Sequence, residues 1–390
     1  MKMEYMRLSE CAYYRNERTD QIDFDTYITT DSMIPNRGGI VTAESLPDAK
    51  TVPKYLPNDI LLSNIRPYFK KIWLVDRMGG CSNDVLVVSA KQNTDPKFLY
   101  YVLSDDNFFN YDTITSKGTK MPRGTPNAIM KYSVPHIGIE KQKRIASILS
   151  NYDDLINANS KRIKVLEQIA ENLYKEWFVR FRFPGHETAE FENGLPKGWE
   201  RNRISQYYFT SSGGTPSREN EENYENGTIP WIKTGEMQDC LLIDTEEHIS
   251  EAASKKSSAK LFPKDSVLMA MYGVNIGMLA YSAVEASCNQ ACCVFKDQGA
   301  INTKHYLFQY LKSIREHLLL IGFGAAQQNL SQDLIKQVKI LRPDSDTIMR
   351  FENAIEPLYQ ETKRLLAQNS NLIKQRDLLL PRLISGKLEV

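Results

Sequence analysis

The chain repeats itself. Leu56-Pro57-Asn58-Asp59-Ile60-Leu61 lines up with Phe262-Pro263-Lys264-Asp265-Ser266-Val267 at an offset of 206. The same offset carries Asn83 onto Asn289, Gly118 onto Gly324 and Arg144-Ile145 onto Arg350-Phe351. Nearer the start of each half, Tyr27-Ile28-Thr29-Thr30 lines up with Trp231-Ile232-Lys233-Thr234 at an offset of 204. Matches held at nearly constant offset over most of each half mark a duplication. The chain must therefore fold as two versions of one plan.

Each half opens with a mixed segment. Short β-rich runs such as 84–89 and 266–271 are separated by Gly, Pro, Asn and Ser turns. A long helical segment follows, over 139–181 before Pro184-Gly185 and over 346–383 before Ser385-Gly386. In the first helix, Leu149, Tyr152, Ile156, Asn159, Ile163, Leu166, Ala170, Leu173 and Trp177 step by alternating threes and fours. The offset places Ile355, Leu358, Thr362, Leu365, Asn369, Leu372, Arg376, Leu379 and Leu383 at the matching positions of the second. A duplicated seam of this period predicts two equivalent helices packed on each other as a coiled coil. Asn159 and Asn369 interrupt it. Either they pair inside the seam and set register at some cost in stability, or they face water where the seam frays. Pro357 predicts a kink or break in the second helix, with 344–355 as a separate short helix, and Pro381 predicts the end of regular packing. The polar stretch 180–200, with its glycines and prolines, reads as a linker.

A chain of 390 residues with 42% hydrophobic and 25% charged residues has the composition of a soluble protein of two or three domains. No stretch approaches the ~18 apolar residues of a membrane span, and the start lacks a secretory hydrophobic region, so a cytoplasmic location is expected. Six cysteines in this length are no disulfide framework. Cys288, Cys292 and Cys293 lack CxxC spacing, a second pair or a nearby histidine, and so read as a buried strand running into Val294-Phe295 rather than a zinc site.

Enzymatic signatures are missing. We find no cofactor loop with an Asn/Asp-Pro-Pro-aromatic motif, no phosphate loop, and no Glu-x-Lys following Pro343-Asp344. His136, His186, His248, His305 and His317 are scattered without triad or ligand spacing. A binding and positioning protein is expected, without catalysis, metal or cofactor of its own.

Two long motifs carry a resemblance. The run ENLYKEWFVRFRFP at 171–184, followed by LPKGWE at 195–200, resembles the central region of type I restriction-modification specificity subunits. QRDLLLPRLISGK at 375–387 resembles their C-terminal region. Gly213-Gly214-Thr215-Pro216-Ser217 with Ile229-Pro230-Trp231-Ile232 is similar to the opening of one of their target recognition domains, and QKRIASIL at 142–149 to the start of their first spacer helix. The first recognition domain departs most, since 10–17 lacks the Gly-Gly-Thr-Pro pattern.

The resemblance implies an α+β fold: two pseudo-two-fold-related mixed α/β target recognition domains joined by two long antiparallel coiled-coil helices. The expected boundaries are 1–137 and 201–343 for the recognition domains, 138–182 and 344–390 for the spacer helices, and 183–200 for the linker. Each recognition domain would read half of a bipartite double-stranded DNA target. The helices would set the gap and dock modification subunits, expected to be two, which bind S-adenosylmethionine and methylate adenine. A restriction subunit would join them. The alternatives are a recognition subunit of a differently organised restriction system, or a helical protein scaffold that binds no DNA.

A net charge of +1 requires any DNA surface to be local, because phosphate contact needs clustered cations. Lys117, Lys120 and Arg123 form a basic, glycine-containing loop, and its repeat-mate carries Gln327, Gln328 and Asn329. Arginine and lysine suit guanine or phosphate, glutamine and asparagine suit adenine. Arg66 and Tyr68, with Lys70 and Lys71, make a basic-aromatic patch, and Tyr272, Gly273, Val274 and Asn275 occupy the matching place. Thr215, Arg218 and Lys233 are further candidates for phosphate contact.

Overall fold

The structure, a computed structural model, describes residues 4–298, 303–322 and 329–389. The chain divides into two compact units, residues 1–157 with 370–390, and residues 158–369.

The first unit is built on a four-stranded antiparallel sheet. Its strands are β1 (Ala12–Tyr14), β2 (Ile60–Ser63), β3 (Ile72–Leu74) and β4 (Val85–Ala90), in the order β1-β4-β2-β3. β4 is a Val-Leu-Val-Val run, nearly all buried, as a β-branched central strand should be. Two helices cover the sheet, α1 (Pro96–Ser104) and α2 (Asp106–Thr115). Asp95 caps the first, accepting from Phe98 N at 2.9 Å, and Asp105 caps the second, accepting from Asn107 N at 2.8 Å. Ile60, Leu62 and Val88 from the sheet pack with Phe98, Val102 and Phe108 from the helices. A smaller sheet joins Arg18–Thr19, Val52–Tyr55, Gly79–Cys81 and Tyr27–Ile28, the last pair parallel. Helix α3 (Ile139–Tyr174) begins in this unit, where Ile145 and Leu149 enter the core together with Leu380 and Leu383 near the C-terminus.

The second unit repeats the plan. Strands β5 (Tyr208–Ser212), β6 (Cys240–Leu242), β7 (Ser266–Ala270), β8 (Leu279–Ser282) and β9 (Cys292–Asp297) lie in the order β5-β9-β7-β8-β6. The first four in that order are antiparallel and correspond one to one with the first sheet; β6 is an added parallel edge strand. Helices α4 (Lys304–Ser313) and α5 (Arg315–Gly322) stand where α1 and α2 stand. Even the parallel pair recurs, with Trp231–Ile232 beside Ser287–Cys288. The last helix is α6 (Ser345–Ile384).

Within the second unit α3 and α6 run antiparallel. Asn159 meets Asn369, Arg162 lies 3.0 Å from Glu361, and Tyr174 packs on Phe351. Ala170, Tyr174 and Trp177 share a core with Ile348, Phe351 and Ile355. A wider helical turn at Lys175–Val179 brings Trp177 and Phe178 both inward. Phe178 stands 4.8 Å from both Tyr306 and Phe351, ring centre to ring centre. The first unit shows the same direction, since Arg376 is 2.5 Å from Asp153. The arginine at a seam position is thus neutralised by a facing carboxylate.

Three sequence expectations change. Helix α6 runs unbroken through Pro357. The proline ring and the carbonyl of Asn353, which loses its helical donor, both belong to exposed residues, so water satisfies what the ring removes. Packing also extends past Pro381 to the buried Leu383. The 183–200 stretch is no free linker. Phe183 and Trp199 are buried against each other at 5.0 Å, and Trp199 Nε1 donates to Asp344 Oδ2 at 3.0 Å.

The two asparagines face the seam. Asn159 is 2% exposed and Asn369 8%, and Asn159 Nδ2 donates to Asn369 Oδ1 at 2.9 Å. Ser160 and Gln368 flank the pair. We predict that Asn159→Leu alone lowers unfolding stability by roughly 1–3 kcal/mol, because the Asn369 oxygen loses that donor inside the seam. Adding Asn369→Leu should restore most of the loss in urea unfolding, and non-additivity near zero would refute the pairing.

Candidate nucleic-acid interface

In the first unit three loops meet at one end of the main sheet. The loop after β2 runs beside the loop after α2: Ile65 bridges Arg123, Arg66 N donates to Pro122 O at 2.8 Å, and Gly124 N to Asn64 O at 3.0 Å. The second loop closes on itself, with Lys117 and Arg123 exchanging backbone bonds of 2.8 and 2.9 Å around the positive-φ Gly118. A third loop joins when Asn36 N donates to Phe69 O at 2.8 Å and Arg37 N to Lys70 O at 3.0 Å. Asn36, Arg37, Arg66 and Lys70 all have positive φ. Four non-glycine residues in the left-handed region, in two facing loops, are backbone strain of the kind that collects at binding sites.

The charges of this cluster differ in freedom. Lys117 and Lys120 are exposed and make no ion pair with the described residues. Arg123 lies 3.2 Å from Asp84. Lys70 lies 2.8 Å from Asp106, which also binds Arg37. Lys71 is turned inward to Thr30 O at 2.6 Å, and burial holds its ammonium below the ordinary lysine range. Arg66 stacks over Phe69 at 5.9 Å, and Tyr68 is 47% exposed beside it. Arg66 and Tyr68 are thus brought to the Lys117–Arg123 loop, as a basic-aromatic surface with Lys117 and Lys120 unpaired on it.

The second unit presents the corresponding turn after β7, and beside it the described segment from Asn329, with other chemistry. After β7 the chain turns through Tyr272, Gly273, Val274 and Asn275. The turn is pinned at its base, where Asn275 Nδ2 donates to Thr234 O at 2.8 Å and Gly277 N to Ala270 O at 2.8 Å. Asn275 is therefore a brace, while Val274 at the tip is fully exposed. The neighbouring segment is tied on by Leu330 N, which donates to Met271 O at 2.8 Å. Asn329 is exposed there; Gln327 and Gln328 lie outside the described residues. Val274 is among the residues the sequence sets opposite the basic-aromatic patch, and the repeat offset places it on Tyr68. The sequence reading missed the loop of Asn36 and Arg37, whose only sequence signal is the following Gly38-Gly39.

Thr215, Arg218 and Lys233 stand in an acidic setting. Thr215 is bonded to Gln290. Arg218 lies over the Tyr224 ring at 4.2 Å and 2.6 Å from Glu247. Lys233 lies 2.8 Å from the same Glu247 and 3.1 Å from Glu246. The bond to Glu247 holds the Lys233 ammonium above its usual range. These cations are already matched by carboxylates and offer phosphate less than Lys117 and Lys120 do. The Gly-Gly-Thr-Pro run serves packing: a Cβ on Gly213 would sit 1.8 Å from the Cys288 carbonyl oxygen, and Trp231 Nε1 donates to Gly214 O at 3.1 Å.

Cys292 and Cys293 are buried on β9, and burial pushes the Cys293 thiol up to about 12. Among the described residues no group of three His, Cys, Asp or Glu side chains is placed to hold a metal. His305 is fully buried, with Nδ1 2.7 Å from Glu352 Oε2, a bond between α4 and α6.

The Type I restriction modification DNA specificity domain matches residues 11–168 and again 196–375, one match for each version of the plan. The chain belongs to this family. Its relatives include the type I restriction enzyme MjaIX specificity subunit of Methanocaldococcus jannaschii, 28% identical over 78% of this chain and 71% of the relative. Another is the HindI specificity subunit of Haemophilus influenzae, 24% identical over 85% of this chain and 86% of the relative. The type I restriction-modification S subunit from M. genitalium has the same fold, with a TM-score of 0.57 over 98% of this chain and 96% of that one at 14% identity. At that distance the specificity-subunit fold is shared while the loop residues are this chain's own.

We predict that Gly213→Ala destabilises the chain by at least ~2 kcal/mol, since a backbone oxygen occupies the Cβ position. Gly235→Ala, where nothing lies within 4 Å, should be nearly neutral in the same melt. Equal melting temperatures for the two would refute the packing role.

Proposed function

We propose that this chain is the DNA-reading subunit of a type I restriction-modification system, and that each unit reads one half of a bipartite double-stranded target. The observation that carries the reading is the equivalent loop pair in both units, on the same frame but with unlike chemistry. Lys117, Lys120, Arg123, Arg66 and Tyr68 suit phosphate and guanine; Tyr272, Asn329 and the glutamines Gln327 and Gln328 suit adenine and apolar base edges. Asn275, Thr215, Arg218 and Lys233 hold those loops or tune the charge around them. A frame used twice with different loops is what reading two different half-sites requires.

On this reading the chain does no chemistry. Two modification subunits dock on its two long helices, bind S-adenosylmethionine and methylate adenine, and a restriction subunit completes the assembly. The long helices set the gap between half-sites. Among the described residues no helix is long and apolar enough to cross a membrane, which is compatible with work on cytoplasmic DNA.

Two measurements test this. Co-expression with the adjacent methyltransferase subunit should produce adenine methylation at one bipartite motif of fixed gap, lost when this chain is omitted; unchanged methylation without the chain would remove the reading. In the assembled complex, Lys120→Ala should weaken binding evenly across sequences and reduce the salt slope of log K by about 1, as loss of one phosphate contact requires. An unaltered slope would take Lys120 off the DNA.

A further inference from the structure

Beneath the Lys117–Arg123 loop lies a buried acid that the interface does not account for. Asp112, on α2, is 0% exposed, and neither of its carboxylate oxygens accepts a hydrogen bond from the described residues. Buried carboxylates ordinarily gather donors, because an ion without them is costly away from water. Arg66 Nε, a buried donor in the loop after β2, is unpartnered among the described residues too and makes no bond to Asp112. The carboxamide oxygen of Asn64 is likewise unpartnered. Gly124, which ends the loop, is wedged against both: a Cβ there would lie 2.7 Å from Asp112 Oδ1, 3.3 Å from Asp112 Oδ2 and 2.8 Å from Asn64 Oδ1.

The charged neighbours do not compensate. Arg123 is directed to Asp84, and Lys117 and Lys120 are out in solvent. Tyr14 faces the site from β1, but its hydroxyl donates to Pro126 O at 3.0 Å, and burial, then the nearby Asp112, push its phenol above the ordinary range. Burial alone pushes the Asp112 carboxyl up to about 7.

We propose that Asp112 is the positioning residue of the Lys117–Arg123 loop: as the neutral acid it gives its hydrogen to the Asn64 carboxamide oxygen and keeps the loop seated, and as the carboxylate it releases the loop. One hydrogen is the donor that three clustered acceptors lack. Gly124 joins the two side chains to the loop through its own backbone bond to Asn64 O, so disturbing the pair disturbs the strand end that carries Arg123. The proposal rests on the reading of this loop as a DNA contact and adds a control to it.

The sign follows from the raised value. The seated form binds a proton that an opened loop would not. Its advantage is full below the ordinary aspartate range near 3.8 and is lost as pH rises through about 7. DNA affinity should fall with it.

The test uses the full chain assembled with its modification subunit, with target DNA affinity followed from about pH 6 to about pH 8.5, where a group near neutrality changes charge. The wild type should lose several-fold in affinity across that range, beyond the loss in Asp112→Asn, which keeps a neutral side chain throughout. Asn64→Ala should move the midpoint to lower pH, because the neutral acid loses its acceptor. Hydrogen exchange of the Lys117, Arg123 and Gly124 amides, corrected for intrinsic rates, reads the loop without DNA. Protection should fall through neutrality in the wild type and stay level in Asp112→Asn. Parallel wild-type and Asp112→Asn profiles in both measurements would overturn the positioning role. If exchange follows Asp112 but Lys120→Ala leaves DNA affinity unchanged, the DNA reading of the loop fails and the latch stands. If Lys120→Ala weakens binding while the two pH profiles stay parallel, the latch fails and the DNA reading stands.

Discussion

The antiparallel pairing of α3 and α6 is the contact on which the rest of the fold depends. Each unit's sheet-and-helix layer is completed by one end of each long helix. Ile145 and Leu149 with Leu380 and Leu383 close the first core; Ala170, Tyr174 and Trp177 with Ile348, Phe351 and Ile355 close the second. Neither recognition layer has an apolar face of its own that would stay covered without these helix ends. In the second unit an aromatic cluster around Phe178 replaces the aliphatic contacts of the first, and it gathers the 183–200 stretch through Phe183 and Trp199. The Asn159–Asn369 bond gives this seam a single satisfied register, since a slip would strand two carboxamides among apolar groups.

On this frame, the loops are free to differ. Their bases are held by backbone bonds, such as Arg66 N to Pro122 O in one unit and Leu330 N to Met271 O in the other, which depend little on side-chain identity. Side chains at the tips can therefore change without unsettling the sheet. The near-neutral net charge fits this division of labour. Most cations around the loops are matched locally, Arg123 by Asp84, Lys70 by Asp106 and Lys233 by Glu247, so few lysines present unscreened charge.

Asp112 shows why such a site needs structure to be seen. In sequence it is one acid among forty-eight acidic residues, on a helix whose other acid, Asp106, pairs with Lys70 and Arg37 and whose N-cap is Asp105. Only the closure of the Lys117–Arg123 loop over Asn64 and Gly124 strips it of water and of donors. The strain at Asn36, Arg37, Arg66 and Lys70 has the same character: no local pattern announces four left-handed residues in two loops separated by 29 positions from Arg37 to Arg66.

The sequence by itself determined the duplication, the two long helices and their seam, and, through the motifs at 171–184 and 375–387, the family. These are periodic or extended signals, and periodicity and repetition survive low identity because each position repeats the same demand on burial. It also set out which loops are equivalent and that their chemistry differs. Tertiary structure alone decided the rest. It passed α6 through Pro357 because the ring falls on a solvent face, and it folded the apparent linker onto the core because Phe183 and Trp199 find partners far along the chain. It turned both asparagines inward and matched Arg218 and Lys233 with Glu247. Each of these outcomes depends on which groups meet across long sequence separations, and no local pattern records that.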